Sequence, residues 1–291
     1  MLYSYDRGPL PYTDLASERR RANLDTPGVE YSREDVICGE WERIKITTEE
    51  GERSIGRPMG SYHTLNCERM DLIDSGSLSD TSNEIARELT KMTNALMGMP
   101  KSIVAVGLGN RNLTSDSLGT LTCDGIKPTR HVKIYDGALF SKLGCAEMSV
   151  ITPGVTAKTG LDSIDTVSSI CKILSPDLVI AIDAIATSSY ERLGSTVQIT
   201  DAGICPGSGL LNLNRALSRD TVGTTVIAIG VPTVIDARVL YLEGLGENRI
   251  PKSARIPSPS MFVSPKEIDE IVNSASQIIA NAINKAFGIY Q

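Results

Sequence analysis

Apolar residues recur along the chain in two rhythms, and the change between them falls near residue 101. Before it, ERIKITTEEGERSIGRPMG alternates apolar and polar positions about a Glu-Glu-Gly turn, the pattern of a β-hairpin within residues 42–64. Ile85, Leu89, Met92 and Leu96 then recur at helical spacing and predict an amphipathic helix over 79–98. From 101 onward short apolar runs predict strands at 103–106, 148–151, 178–182 and 225–230. Helical patterns lie between them, notably 162–174 with Ile164, Val167, Cys171 and Leu174 on one face. The last helix is announced by Ser264 as N-cap, Pro265 at the first helical position and Glu267 as the capping-box partner. Its buried stripe is Ile268, Ile271, Val272, Ala275 and Ile279. Strands alternating with helices imply an α/β fold: a mainly parallel sheet with helices on both faces, plus an N-terminal β-hairpin elaboration at about 29–66. No internal repeat or low-complexity segment interrupts residues 15–291, which read as one α/β domain. Residues 1–28, with Pro9, Pro11, Pro27 and the run Arg19-Arg20-Arg21, read as a mobile or loosely docked arm.

In a parallel sheet chemistry collects at the carboxyl ends of the strands. After the first strand comes GLGNRNLTSDSLG, with Gly107, Gly109 and Asn110 in the turn. A nucleotide cradle and a turn that presents Asp116 are both open to such a stretch. A dinucleotide fingerprint needs a third glycine three residues beyond the second, where this chain has Asn112, and a P-loop needs Gly-Lys-Ser/Thr, which is absent. Thr114 and Ser115 offer N-cap oxygens, and Asp116 falls in the first helical turn, where it could simply complement the helix dipole. The second strand of interest, LVIAID, is apolar over five residues and closes on Asp183. A carboxylate at the end of a buried strand is costly unless it is paired, metal-bound or in a polar cleft. Two aspartates facing each other across a crevice suit acid–base work on water, because one of the two stays protonated.

Lesser candidates surround this pair. Gly207, Ser208 and Gly209 in ITDAGICPGSGL could form a backbone-amide nest for an oxyanion, or simply a turn. Thr233, Asp201, Cys205 and Asp236 lie in or beside strand ends. Cys205 as a nucleophile would need His63 or His131, the two histidines of the chain, to reach it through folding.

Composition narrows the class. The 291 residues are 41% hydrophobic and 22% charged, without a run long enough to span a bilayer or a signal-peptide core. Thirty-five acidic against 29 basic residues give a net charge of −6, which disfavours broad nucleic-acid binding. Six widely spaced cysteines without a CxxC pair fit reduced thiols in a cytoplasm.

Taken together, GLGN with TSDSLG, TPGV with a following TG, PDLVIAIDAIA, ITDAGICPGSG and IAIGVPTVID resemble the germination protease family of spore-forming bacteria. The resemblance runs from about residue 13 to the C-terminal helix. It implies an atypical aspartic endopeptidase with the fold of the hydrogenase maturation proteases, which degrades small acid-soluble spore proteins during germination. By motif position its two catalytic aspartates would be Asp116 and Asp183. The resemblance further implies a zymogen, a homotetramer and a site in the cytoplasm of the forespore or spore core. Two aspartates that activate water need no cofactor, Cys205 in place of the family's histidine speaks against a metal, and charge and composition point to no membrane or direct nucleic-acid partner. YTDLASE, residues 12–18, resembles both the self-processing site and the substrates, with residues 1–14 as propeptide and cleavage expected between Asp14 and Leu15. The chain departs from the family pattern at Ser115-Asp116-Ser117, where the family has Pro-Asp-Ala, and at Cys205, where it has a histidine. The readings set against this one are a weakened family member acting as a binding protein and a Rossmann-type nucleotide enzyme.

Overall fold

Successive residues of a strand point to opposite faces of the sheet, so an unbroken apolar run is buried on both. Ile103-Val104-Ala105-Val106 shows this directly. Ile103 and Ala105 enter a core with Ile85, Leu89 and Ile279, while Val104 and Val106 enter a second core with Ile164, Val167 and Cys171. A computed structural model describes residues 12–21, 26–206, 215–240 and 261–289. Its strands are β1 (Val29–Val36), β2 (Gly39–Ile46), β3 (Gly60–Cys67), β4 (Ser102–Gly107), β5 (Glu147–Ile151), β6 (Leu178–Thr187), β7 (Thr196–Thr200), β8 (Thr225–Asp236) and β9 (Phe262–Val263). They form one sheet in the order β1-β2-β3-β7-β8-β6-β4-β5, with β9 beside β8.

The α/β class is as expected. The parallel part is β8-β6-β4-β5, and the N-terminal elaboration extends the same sheet through the antiparallel strands β1, β2, β3 and β7. Among the helices, α1 (Ala16–Arg21), α2 (Glu49–Ile55), α3 (Ser75–Leu96) and α4 (Leu118–Gly125) matter most below. One face of the sheet carries α3 and the C-terminal helix Ile268–Ala286; the other carries the helix Ser163–Leu174.

Several expectations are corrected. Glu49-Glu50-Gly51 is not a hairpin turn but the first turn of α2. Thr48 caps it by accepting the Gly51 N–H at 3.1 Å, acidic residues complement the helix N-terminus, and Gly56 ends it at φ +68°. The tight hairpin joins β1 to β2 instead, with Val36 opposite Gly39. The C-terminal helix starts at Ile268 with Glu267 at its cap and no side-chain capping bond, so the Ser264–Glu267 box does not form. The strands predicted to close at 182 and 230 run on to Thr187 and Asp236. The arm is corrected as well. Thr13, Asp14, Ala16 and Ser17 are buried and Leu15 is fully so, and burying a leucine is worth about 1.5–3 kcal/mol. Residues 12–18 are therefore firmly docked.

Candidate active site

The Gly-Leu-Gly turn after β4 exists because three backbones meet there. A Cβ at Gly107 would lie 2.3 Å from the Gly119 carbonyl oxygen, and one at Gly109 would lie 2.1 Å from that of Asp116. Gly109 also sits at φ +94°, a conformation side chains resist. The turn stays tied to β6 through the Leu108 N–H, which donates to the Ile182 carbonyl at 2.9 Å. What it presents is the 3₁₀ turn Thr114–Asp116. Thr114 and Ser115 do not cap α4, which starts at Leu118, and Asp116 precedes that helix. The Asp116 carboxylate turns back instead and accepts the Asn110 N–H at 2.8 Å. Thr233 of β8 anchors the turn by donating to the Ser115 carbonyl at 2.6 Å.

Asp183 lies inside β6, opposite Gly230 of β8, and is 3% exposed. Its carboxylate accepts the Ala184 N–H at 2.9 Å. Burial pushes its carboxyl well above the usual range, and the charges of Asp116 and then Asp14 push the same way. Asp116 is raised too, by burial, with the Asn110 N–H opposing. The fold thus brings the two predicted aspartates into one electrostatic unit, and it adds a third carboxylate from the arm.

That third group enters as part of a docked peptide. The Asp14 N–H donates to the Ala186 carbonyl, and the Ala186 N–H donates to Asp14 Oδ2, both at 2.9 Å. Asp14 Oδ1 accepts from the Tyr12 hydroxyl at 2.6 Å and lies 3.3 Å from the Arg57 guanidinium, which also donates to the Thr13 carbonyl. Gln198 of β7 holds the next peptides: its Nε2 donates to the Asp14 carbonyl at 3.3 Å and its Oε1 accepts the Ala16 N–H at 3.0 Å. Further along, buried Arg192 donates to the Ser17 hydroxyl at 2.5 Å. Glu18 accepts from the Thr187 hydroxyl at 2.5 Å and from the Ser188 N–H at 2.8 Å. Every residue from 13 to 18 of the docked segment therefore has a defined environment.

The lesser candidates part from this centre. Asp236 is buried, which disfavours its charge, yet Arg238 at 2.9 Å and the Tyr12 N–H at 3.2 Å hold its carboxyl below the ordinary range; it is an anchor. Asp201 accepts the Ser61 N–H at 2.6 Å, tying β3 to the end of β7. Cys205 lines the cavity beside Asp14 and Arg57, and burial raises its thiol, the reverse of nucleophile activation. His63 Nδ1 faces Glu88 at 2.8 Å, and His131 is exposed on the helix Arg130–Tyr135. Gly207, Ser208 and Gly209 lie outside the described residues, as does the start of the expected propeptide at 1–11. Among the described residues no group of three His, Cys, Asp or Glu side chains is arranged to hold a metal ion. No described helix is long and apolar enough to cross a membrane.

Sequence reasoning passed over Arg57, Gln198 and Arg192. The arm itself carried a weak signal for them, since a buried acidic segment needs donors and cations opposite it. Nothing along the chain says which.

The germination protease family model matches residues 13–244. Curated germination proteases from Clostridium perfringens and Caldanaerobacter subterraneus are each 33% identical to the chain; the alignments cover 94% of this chain and 94% and 93% of theirs. The germination protease of Bacillus licheniformis is 39% identical over 77% of this chain and 63% of its own. Among solved structures, a [NiFe] hydrogenase maturation protease from Thermococcus kodakarensis KOD1 aligns over 68% of this chain and 99% of its own, at 16% identity and a TM-score of 0.37, too distant to argue from. On the family match and the long alignments at this identity, the chain belongs to the germination protease family, and it is a peptidase by that membership.

Proposed function

We propose that the chain is an aspartic endopeptidase, made as a zymogen that cuts itself between Asp14 and Leu15 and then degrades small acid-soluble spore proteins in the germinating spore. The observation that carries this reading is the position of Asp14. Its carboxylate charge bears on Asp183 together with that of Asp116, and its paired bonds to Ala186 lay the segment carrying the bond expected to break along the strand that bears Asp183.

The environments divide the labour. Asp183 is the more deeply buried and meets two neighbouring negative charges, so it keeps its proton. Asp116 is half-buried and its carboxylate is stabilised by the Asn110 N–H, so it is the base. Asp116 takes a proton from water as the water oxygen attacks the Asp14 carbonyl carbon. Asp183 then gives its proton to the Leu15 nitrogen as the C–N bond breaks. The pair holds one proton before and after, and no cofactor enters. The same subsites would take a spore protein carrying an acidic–apolar–Ala–Ser–Glu segment, once the arm has left. Assembly as a homotetramer in the spore core belongs to the same proposal.

Intact mass of the full chain, before and after mild acidification, tests it beside Asp183→Asn and Asp116→Asn. Loss of residues 1–14 from the wild type alone is expected. A variant that cuts at a near-normal rate overturns the two-aspartate mechanism. A wild type that cuts neither itself nor a spore-protein peptide overturns the enzyme and leaves a binding protein.

A further inference from the structure

Gln198 reaches both sides of the bond between Asp14 and Leu15. It stands on β7 between Thr64 of β3 and Gly230 of β8, is 6% exposed, and sends its side chain toward the arm. Its carboxamide makes two contacts of opposite sense, donating from Nε2 to the Asp14 carbonyl at 3.3 Å and accepting the Ala16 N–H at Oε1, 3.0 Å away. The peptide fixes which end of the amide is which. A carbonyl can only accept and an N–H can only donate, so one orientation satisfies both. The carbonyl it touches belongs to the carbon that water must attack.

We infer that Gln198 is the substrate-gripping and oxyanion-stabilising residue of this peptidase, holding the scissile carbonyl and the N–H of the peptide that follows it. The inference rests on the self-cleavage reading above. As water adds to the Asp14 carbon, the carbonyl π pair moves onto oxygen, and the Nε2–H that faces a neutral oxygen in the bound peptide then faces an anion. A donor aimed at developing charge gains strength in the transition state, and removing one such donor costs about 10²–10³ in rate. The contact to Ala16 differs in kind. It sits beyond the leaving nitrogen, makes no charge change during attack, and serves as binding alone. The leaving nitrogen itself is oriented by the arm, since the Leu15 N–H donates to Thr13 Oγ1 at 3.1 Å.

Two substitutions separate grip from catalysis. Gln198→Met removes both contacts. Gln198→Glu, when ionised, keeps an acceptor for the Ala16 N–H and loses the donor; when protonated it regains an O–H donor and mimics the amide. Two readouts apply to the full chain: the first-order rate of self-cleavage by intact mass, and hydrogen exchange of the Ala16 amide in the uncut Asp183→Asn background. Gln198→Met is expected to slow cleavage by at least about 10²-fold and to expose the Ala16 amide. Gln198→Glu is expected to keep Ala16 protected yet cut slowly at neutral pH, with its rate relative to the wild type climbing as pH falls through the carboxyl range. A merely structural role would make rate follow protection in both variants, and that outcome overturns the oxyanion assignment. Ala16 protection unchanged in Gln198→Met overturns the grip. A wild type that never cuts, combined with lost protection in Gln198→Met, removes the peptidase reading and the oxyanion role with it, and leaves the grip standing. Thermal melts of both variants establish that each is folded.

Discussion

Asp14 and Ala186 pair twice, backbone to backbone and side chain to backbone, across 172 residues of chain. The two 2.9 Å bonds place the arm along the last residues of β6, three positions beyond Asp183. A segment that carries its own acidic residue is thereby laid against the most strongly perturbed carboxyl of the sheet. Docking by backbone bonds alone would accept any sequence. The side-chain contacts of Asp14, Ser17 and Glu18 turn it into recognition.

Arg57 is the cation opposite Asp14, and its loss should be read in the rate of self-cleavage. Hydrogen bonds to charged groups are worth about 1.5–3 kcal/mol, so Arg57→Leu should slow cutting roughly 10–100-fold. Combining it with Asp14→Asn should cost less than the sum of the two, because their shared interaction cannot be lost twice while the Arg57 contact to the Thr13 carbonyl is lost besides. Rates from intact mass over time decide the matter. Additive losses in the double variant would mean that Arg57 acts elsewhere.

Burial holds the Asp183 carboxyl well above its ordinary value, and this has a sign for stability. The folded state binds the proton more tightly than the unfolded chain does. Stability is therefore full below the unfolded value near 3.8 and falls as pH climbs from there through the raised folded value. Asn cannot ionise, and it keeps an oxygen for the Ala184 N–H. Asp183→Asn should accordingly melt higher than the uncut wild type at neutral pH, by roughly 2–4 °C for each kcal/mol recovered. The gap should close as both are titrated to low pH. Calorimetry at a series of pH values reads this, and a variant less stable than the wild type at neutral pH refutes the burial account.

Gly109→Ala leaves both aspartates in place but forces a methyl against the Asp116 carbonyl and strains a backbone at φ +94°. The expected cost is about 1–3 kcal/mol of stability, with cleavage falling further than the melt explains because the Asp116 turn shifts. Thermal melts beside cleavage rates check it. Unchanged cleavage would show that the turn tolerates displacement and that Asp116 needs no such placing.

Much of the α/β layering was legible because burial leaves a periodic trace. LVIAI must be covered on both faces, and Ile85-Leu89-Met92 must be covered on one. The motif residues Gly107, Gly109 and Asp116 were legible for a related reason, since a tight backbone approach excludes every side chain but hydrogen. Glu49-Glu50-Gly51 misled because a glycine after two acidic residues marks a turn and the start of a capped helix equally well. What turned it into a helix was Thr48 and the packing of Ile55 in the core beside Ile44 and Tyr62.

By itself the sequence determined the core of the parallel strands and set two aspartates at or near their carboxyl ends, both of which follow from local composition and spacing. Tertiary structure alone decided that Asp14 comes beside Asp183, that Arg57 meets its carboxylate and that Gln198 brackets the next bond. The reason is physical. Period and propensity act within a few residues, whereas these contacts join positions 43 to 184 residues apart through strand order, and no local rule encodes which strand will lie beside which.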